Sequence, residues 1–565
     1  IGLDVFHEVM GLVEASGSSS ISVKDTRKRA GRRARDHWRE YYKGRKGGWI
    51  LVQCGLSPED AKKPFIGIAN SWSEIVPGHL YLREVARFAR DGIKASGGAS
   101  LEFNTIATCD GYGYGYEKPD TWKYCLPIRD ATADSVELIA KHVDFDGLVL
   151  LSACDKSNPG MQMAAARIDK PSILIPAGLN FRRCPGTGLG TATTGQCMSE
   201  ALGMALPRTA TTYTLSPVHE ELARRSGAMA VELVKAGIKP SDIMTRKAFE
   251  NAIRVLLAIG GSANYCMHLP AIAHELGIEI CIEDFERLSE ETPYLSHLSP
   301  NGPWTLEELD MRGGILGVMK ELSPLLNLDV LTVTGKTLGE NLKDFEKWMS
   351  LHSPHRLPDT QLSKDVLRPL GDPILRTGGL TVLRGSLAPG GSIIRTAGVR
   401  REKYIYTGPA RVFDGKLEAT EALLNEDYDP DDVIVVRYEG PKGGPGMPEL
   451  CSEAQMLGTE ESATYLVTDG RYSGGGNAGT IVGFVTPEAF EGGPIAIVRN
   501  GDPIRIDIPK RRLDLLIPEE EVKERLGKWR RPEPRCKGGF LARYIQEVTP
   551  ALKGAYLEAP KVASV

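Results

Sequence analysis

Hydrophobic and polar positions follow two different patterns along this chain, and the change falls near residue 370. From about residue 63, short apolar runs such as FIGIA (65–69) and LVLLS (148–152) take turns with stretches such as HLYLREVARFARDGIKAS (79–96), where apolar residues recur every three or four positions. The runs are typical of buried strands and the longer stretches of amphipathic helices. Strand and helix in alternation predict an α/β domain with a parallel sheet and helices on both faces.

Other segments of this first region continue the alternation. The region 205–370 is mixed and contains helical stretches, and we assign it to the same domain. Because ligands bind beyond the carboxyl ends of the strands in such sheets, the loops after the strands are where chemistry is expected. The further predicted elements are strands at FNTIAT (103–108) and SILIP (172–176) and helices at 129–142, 161–168, 218–236 and 244–258.

Segments after residue 370 are short, alternate between apolar and polar positions, and are separated by Gly, Pro and Asp turns. This pattern predicts a β-rich, barrel-like domain. Its predicted strands are LTVLRG (380–385), KYIYTG (403–408), VIVVRYEG (433–440), TYLVTDG (464–470), PIAIV (494–498) and PIRIDIP (503–509).

Composition and charge exclude several classes of protein. With 565 residues, of which 41% are hydrophobic and 25% charged, the chain is long enough for more than one core and is not intrinsically disordered. No run approaches the roughly 18 uncharged apolar residues that a membrane helix needs. Lys and Arg number 69 against 73 for Asp and Glu, so the net charge of −4 gives no global reason to expect a nucleic-acid partner.

The N-terminal segment has a composition of its own. Residues 24–48 are strongly basic and contain Trp38, Tyr41 and Tyr42. We interpret residues 1–48 as an extension whose basic part is a solvated helix packed on the enzyme, with a targeting remnant or a polyanion-binding arm as alternatives. The start lacks the pattern of a secretory signal, and the dispersed cysteines favour a reducing compartment. We expect a cytoplasmic protein, or one of the mitochondrial matrix or plastid after removal of a targeting segment.

Two loops after predicted strands carry a Cys-Asp pair. ATCDGYGYG (107–115) contains Cys109 and Asp110, and SACDKSNPG (152–160) contains Cys154 and Asp155. A thiolate suits iron and a carboxylate suits Mg²⁺, so two such pairs at one edge of a sheet indicate a metal centre. Each pair taken alone is equally consistent with a buried Cys beside a helix-capping Asp.

Two glycine-rich loops in the β-rich region offer further candidates. EGPKGGPGMPEL (439–450) contains Glu449, a potential metal ligand, and TDGRYSGGGNAG (468–479) contains Ser473, a potential proton acceptor. Glycines at this density leave backbone N–H groups open to hold anionic oxygens. The alternative is that both loops are only tight turns.

Four longer segments together resemble the dihydroxy-acid dehydratase and phosphogluconate dehydratase family. The similarity extends from about residue 50 to 550 and is greater to the dihydroxy-acid dehydratase branch. It implies an N-terminal α/β domain (49–370) that binds a cluster and Mg²⁺, a C-terminal β-barrel (371–565), and a homodimer. The segments are CDKSNPGMQMAAARIDKPSILIPAG (154–178), AIGGSANYCMHLPAIAHELGI (258–278), YEGPKGGPGMPEL (438–450) and TDGRYSGGGNAGTIVGFVTPEAFEGGPIAIVRNGDPIRIDIP (468–509).

The resemblance also implies roles for individual residues. Cys154 would bind an iron–sulfur cluster, either 2Fe–2S or 4Fe–4S, and Ser473 would act as the base. Iron would assist loss of the C3 hydroxyl of a 2,3-dihydroxy acid, and Mg²⁺ would neutralise charge while Ser473 removes the C2 proton. The implied Mg²⁺ ligands are Asp110, Asp155, Glu449 and a carbamylated Lys156.

This chain differs from the family pattern at several positions. Gly78 replaces a cysteine, and Cys109 is the candidate to take its place as a cluster ligand. Cys184, the candidate third ligand, lies farther before Thr191 than the family pattern places it, so either it reaches the cluster through an altered loop or the cluster is unusual or absent. Cys197, on the following predicted helix, is expected to be a core residue.

Two further departures concern the substrate. Tyr116 and Phe484 occupy positions where the family pattern has histidines. We predict a hydro-lyase that converts a 2,3-dihydroxy acid of valine and isoleucine biosynthesis to a 2-oxo acid. The alternatives are a sugar-acid dehydratase, which the changed segment 112–124 favours, and a catalytically silent paralogue.

Overall fold

The computed structural model describes residues 48–57, 59–113, 119–180, 188–351, 361–457, 464–474 and 480–558. The basic segment up to residue 47, Tyr116 and Cys184 lie outside the described residues, so their predicted roles stay predictions. Among the helices of the described ranges, none is both long enough and apolar enough to cross a membrane.

The first sheet is parallel throughout, as predicted. Its strands are β1 (Phe65–Asn70), β2 (Ala99–Asn104), β3 (Gly147–Ser152) and β4 (Ser172–Pro176), in the order β2-β1-β3-β4. The predicted strand at 103–108 is displaced, because β2 ends at Asn104 and the apolar residues that follow belong to a loop. The strand order reverses direction between β1 and β3, which creates a crevice beyond their carboxyl ends.

Helices cover both faces of this sheet. The helices of the first domain that the structure describes are α1 (Gly48–Gln53), α2 (Leu82–Ala95), α3 (Pro127–Val143), α4 (Ser157–Ile168), α5 (Thr191–Ala201), α6 (Pro217–Ala236), α7 (Pro240–Ile243), α8 (Arg246–Ala258), α9 (Tyr265–His274), α10 (Ile282–Glu291), α11 (Leu306–Asp310), α12 (Gly314–Glu321), α13 (Leu338–Lys343), α14 (Phe345–Met349) and α15 (Gln361–Val366).

Helices α2 and α6 pack together over one face, and α3 and α4 over the other. The chain adds β2 on one side of β1 and β3 on the other. Right-handed crossovers in these two directions are expected to place their helices on opposite faces of the sheet. The contact between α2 and α6 depends on Gly227, because a side chain there would collide with the carbonyl oxygen of Ala89. The predicted helices 129–142, 161–168, 218–236 and 244–258 are confirmed within a few residues.

The second sheet is a nearly closed barrel, as predicted. Its order is β12-β11-β7-β8-β9-β10-β6-β5, and a bridge between Arg384 and Arg512 joins the two outer strands. Closure of this kind leaves little exposed strand edge. The strands are β5 (Thr381–Leu383), β6 (Gly391–Ile394), β7 (Ile405–Phe413), β8 (Val433–Val436), β9 (Tyr465–Thr468), β10 (Ile481–Thr486), β11 (Pro503–Asp507) and β12 (Arg512–Leu515); the helices are α16 (Lys416–Leu424), α17 (Cys451–Leu457), α18 (Glu519–Lys528) and α19 (Gly539–Glu547).

One predicted strand of the barrel is wrong, and three strands were not predicted. PIAIV (494–498) contains a short 3₁₀ helix, Pro494–Ile497, with the proline in its first turn. A short buried apolar run has no periodicity that separates strand from helix, so packing decides. The strands β6, β10 and β12 are absent from the prediction because glycine or charged residues interrupt their apolar pattern.

Candidate active site

The crevice beyond β1 and β3 contains two of the predicted cysteines. Cys109 and Cys154 are buried and pack with Val76 in a small cluster of their own. Cys154 is held by a turn at the start of α4, where its backbone N–H donates to Ser157 Oγ over 3.0 Å. The parallel sheet therefore brings together the two cysteines that the sequence predicted as cluster ligands.

A buried histidine supports the same turn. His79 Nδ1 lies 2.5 Å from the carbonyl oxygen of Ser71, and its Nε2 lies 3.3 Å from Ser157 Oγ. Burial lowers the pKa of His79 to about 4, so the ring is neutral near pH 7 and fits a structural role. The sequence analysis missed this residue, although its neighbour Gly78 was already recognised as a departure from the family pattern.

Three predicted carboxylates lie next to two buried cations. The Lys156 ammonium is 2.9 Å from Asp110 Oδ2 and 3.8 Å from Asp155 Oδ2. The Arg471 guanidinium is 3.2 Å from Asp110 Oδ2 and forms a second ion pair with Glu449. Sheet loops supply Asp110, Asp155 and Lys156, and barrel loops supply Glu449 and Arg471, so the charged cluster joins the two domains.

These contacts shift the two aspartates in opposite directions. Burial opposes ionisation of Asp110, but the positive charges of Arg471 and Lys156 outweigh it and hold the pKa of Asp110 well below its usual range. Burial raises the pKa of Asp155 well above its usual range, and the negative charge of Asp110 adds to that shift. Asp110 is therefore the carboxylate that stays ionised.

A bridge between the two glycine-rich loops fixes Glu449. Residues Glu449 and Arg471 pair as in a parallel sheet, and the Leu450 N–H donates to the Arg471 carbonyl over 3.0 Å. Asn264 Nδ2 donates to Glu449 Oε2 over 3.0 Å. The other carboxylate oxygen, Oε1, is buried and has no hydrogen-bond partner within the described part of the chain. An unpaired carboxylate oxygen in a buried site is a ready ligand for a hard cation.

The ligand atoms of these residues fit the metals that the family resemblance implies. Carboxylate oxygens with an unpaired Glu449 Oε1 fit Mg²⁺, and the paired thiols Cys109 and Cys154 fit iron. Among the described residues, no group of three or more His, Cys, Asp and Glu side chains already has the arrangement of a metal site. Lys156 and Arg471 occupy the space between the carboxylates.

The predicted base, Ser473, lies in the loop after β9. Its Oγ is 3.6 Å from Cys451 Sγ, and the side chain is buried. The next residue, Gly474, has φ +83°, and the Arg395 side chain packs against it and donates to its carbonyl. No sequence pattern points to Arg395, because its positive charge reaches this loop from the end of β6.

The GPKGG turn differs from its predicted role. The backbone N–H groups of Lys442 and Gly443 each donate to Glu488 over 3.1 Å, so they do not face a ligand. Burial raises the pKa of Glu488 to about 8, and the charge of Asp469 adds to the shift. For these two N–H groups the prediction of an anionic ligand is wrong, because a protein carboxyl group already accepts from them.

Lys416 is a further buried cation that the sequence analysis missed. Its ammonium donates to the Glu449 carbonyl over 2.5 Å and lies 4.1 Å above the Trp122 ring. It also lies 3.6 Å from Glu453. Lys416 thus connects the backbone of a candidate metal ligand to an aromatic side chain of the other domain.

A small cavity is lined by residues of both domains. Glu449 and Arg471 contribute to its lining from the barrel, and Cys109 and Asp110 from the sheet edge. The remaining lining residues include Thr108, Tyr112, Thr121, Trp122, Tyr124 and Cys125. The lining therefore combines charged, hydroxyl and aromatic side chains.

Two other predicted positions lie in the core. Cys197 on α5 is fully buried among apolar side chains, which confirms its prediction as a core residue. Phe484 is also fully buried, and its ring centroid lies 6.2 Å from that of Tyr472, beside Ser473. Phe484 therefore supports the Ser473 loop from behind by packing.

Comparison with known proteins agrees with the two-domain fold. The family model described as Dihydroxy-acid/6-phosphogluconate dehydratase N-terminal matches residues 63–186 and 182–341. The corresponding C-terminal model matches residues 365–555. The chain belongs to the dihydroxy-acid/6-phosphogluconate dehydratase family, whose members are hydro-lyases.

Several relatives are similar over nearly their full length. The dihydroxy-acid dehydratase of Methanothrix thermoacetophila is 42% identical over 545 residues, which cover 90% of this chain and 97% of the relative. The dihydroxy-acid dehydratase of Caldanaerobacter subterraneus subsp. tengcongensis is 41% identical over 551 residues, with 90% and 96% covered. That of Methanothermobacter thermautotrophicus is 42% identical over 552 residues, with 90% and 97% covered.

Proposed function

We propose that this chain dehydrates a branched 2,3-dihydroxy acid to the corresponding 2-oxo acid in valine and isoleucine biosynthesis. The observation that carries this proposal is the meeting of the two domains at one cavity. There Asp110 and Glu449 share Arg471 as a counter-ion, and Lys156 pairs with Asp110. The printed names of the relatives support the same reaction.

Two groups would complete the site. Cys109 and Cys154, with Cys184 as the predicted third ligand, would hold an iron–sulfur cluster. Asp110, Asp155, Glu449 and a carbamylated Lys156 would hold Mg²⁺. When bound, the cluster would supply a Lewis acid for the departing hydroxyl and Mg²⁺ a positive charge near the substrate carboxylate.

The proton transfer depends on Ser473. A serine hydroxyl has too high a pKa to act as a base in water, so positive charge must stabilise its alkoxide. Arg395 lies against the adjacent Gly474 and supplies one such charge from the chain itself. We assign to Ser473 the removal of the C2 proton, and to the buried loop around it the exclusion of bulk water.

The residues that line the cavity suggest which substrates it could accept. Trp122 offers an apolar wall for a branched aliphatic chain. The hydroxyl groups of Thr108, Thr121 and Tyr124 could instead bind the hydroxyls of a sugar acid, which keeps an aldonate as a second candidate.

A substrate panel tests the proposal. Anaerobically purified enzyme with Mg²⁺ is assayed with 2,3-dihydroxyisovalerate, gluconate and arabinonate, together with iron and sulfide analysis and EPR. Turnover of dihydroxyisovalerate that is lost on chelation supports the proposal. Turnover of the aldonates alone would transfer the function to the second candidate, and a protein without a cluster or activity would contradict both.

The family resemblance also implies a homodimer. Light scattering of the cluster-loaded protein tests this assembly, because a dimer has twice the mass of the chain. A monomeric mass at assay concentration would contradict it.

A further inference from the structure

The first turn of α9 and Glu449 together leave several buried polar atoms unpaired. These atoms are Asn264 Oδ1, Tyr265 Oη, His268 Nε2 and Glu449 Oε1, and none has a hydrogen-bond partner among the described residues. Buried polar groups in proteins are nearly always hydrogen-bonded, so several unpaired ones on neighbouring elements call for a partner such as a ligand, an ion or water.

His268 lies on the side of α9 that faces the candidate active site. Asn264 contacts Glu449 directly, and His268 follows it by four residues, which places both on one face of the helix. After burial, the positive charges of Arg129, Lys156 and Arg471 contribute to lowering the pKa of His268 well below its usual range. The last two of these cations belong to the charged cluster of the site.

The contacts of His268 determine which ring nitrogen carries the proton. Arg129 Nη1 lies 3.2 Å from His268 Nδ1, and a guanidinium can only donate, so Nδ1 must be the acceptor. In a neutral imidazole the proton is then on Nε2. His268 therefore presents a buried N–H donor, Nε2–H, that no described residue accepts.

The ring is held in this orientation from two sides. The Tyr265 ring packs edge-on against it, with centroids 5.2 Å apart and planes at 70°. Arg129 is fixed in turn by the carbonyls of Gly554 at 2.9 Å and Ala555 at 2.7 Å. A donor held this firmly is preorganised for an acceptor.

We infer that His268 Nε2–H donates a hydrogen bond to an oxygen atom of the bound dihydroxy acid. This assignment rests on the proposed function, since it takes the hydroxy acid as the ligand of the site. His268 would be a further catalytic-site residue beside the carboxylates, the cysteines and Ser473.

Two substitutions separate the donor from the contact with Arg129. His268→Asn keeps an acceptor oxygen near the position of Nδ1 but removes the Nε2 donor. His268→Gln reaches the position of Nε2 with an amide N–H but removes the Nδ1 acceptor. Comparison of the two variants therefore shows which ring nitrogen of His268 turnover requires.

Steady-state kinetics on the cluster-loaded, Mg²⁺-supplemented enzyme give the answer. We expect His268→Asn to lower kcat/KM by about 10- to 100-fold, as for loss of a hydrogen bond to a charged group, and His268→Gln to stay within about 5-fold of wild type. The cluster absorbance should be unchanged in both. If His268→Asn does not fold, His268→Gln still decides, since a loss above about 10-fold in that variant would overturn the inference.

Other outcomes overturn the inference in recognisable ways. Unchanged kcat/KM in both variants would mean that ordered water alone satisfies Nε2–H. Loss in the Gln variant with retention in the Asn variant would make His268 a positioning residue for Arg129. Failure of the wild-type enzyme to turn over any acid of the panel would instead refute the proposed function, before either variant is compared.

Discussion

The sheet edge and the barrel loops contribute to the same candidate site but hold their side chains by different means. At the sheet edge, Cys154 and Asp155 come directly after β3, so the end of a strand and the start of α4 fix them. In the barrel, Glu449 and Ser473 lie in loops fixed by contacts from elsewhere in the fold, including Lys416. A strand end thus positions the side chains that follow it through the direction of the chain. The barrel loops instead depend on contacts with buried charged side chains.

The strongest test of the sheet edge is Cys154→Ser. Because a hydroxyl is a poor ligand for iron, we expect this variant to lose its iron–sulfur cluster and its activity. Iron and sulfide content and the visible absorbance spectrum measure the loss. Cys197→Ser is the matched control, since Cys197 is a buried core residue, and equal loss of iron from both would contradict the assignment.

The corresponding test of the barrel loops is Ser473→Ala. Removal of a general base typically costs about 10²- to 10⁴-fold in rate, so kcat and C2 proton exchange should both collapse. Cluster absorbance and Mg²⁺ affinity should stay near the wild-type values. A variant that keeps more than about a tenth of wild-type kcat would exclude Ser473 as the base.

Lys416→Met tests whether a buried cation holds the Glu449 loop. Removing it takes the counter-charge from buried Glu453 and the donor from the Glu449 carbonyl, so we expect a loss of about 3 kcal/mol in the free energy of unfolding and a weaker apparent affinity for Mg²⁺. Thermal unfolding and Mg²⁺ titration measure the two effects. Lys523→Met, at an exposed ion pair, is the control and should be nearly neutral.

Glu488→Gln should be nearly neutral at pH 5, and its effect should appear in the pH dependence of stability. Burial raises the pKa of Glu488 from 4.5 to about 8, so the folded state binds a proton that the unfolded state releases. The wild type therefore loses stability, by at most about 1.4 kcal/mol per pH unit, as pH rises from about 5 to 8.

The Gln variant should lack this dependence, so its Tm relative to wild type should rise across that range. Thermal unfolding at pH 5 and 8 checks the difference. The same change at the exposed Glu421 is the control. A pH-independent difference between Glu488→Gln and the wild type would contradict a buried, protonated carboxyl at Glu488.

Many helices and strands of the first domain are predictable from the sequence, because the hydrophobic patterns that define them involve neighbouring residues. Apolar runs predicted β1, β3 and β4, and helical spacing predicted α2 and α3. The boundary of β2 was misplaced because apolar residues continue past the last hydrogen-bonded pair, at Asn104. The predicted domain limits and the role of Cys184 stay predictions.

The sequence by itself determined the two-domain pattern and the position of Cys109, Asp110, Cys154 and Asp155 near strand ends, because strand direction and hydrophobic period are properties of neighbouring residues. Only the tertiary structure decided which distant charges meet. Arg471 reaches Asp110 across 361 positions of the chain, and Arg129 contacts His268 across 139. Such pairs leave no periodic trace in the sequence, since their energy depends on burial and geometry that exist only once both domains have packed.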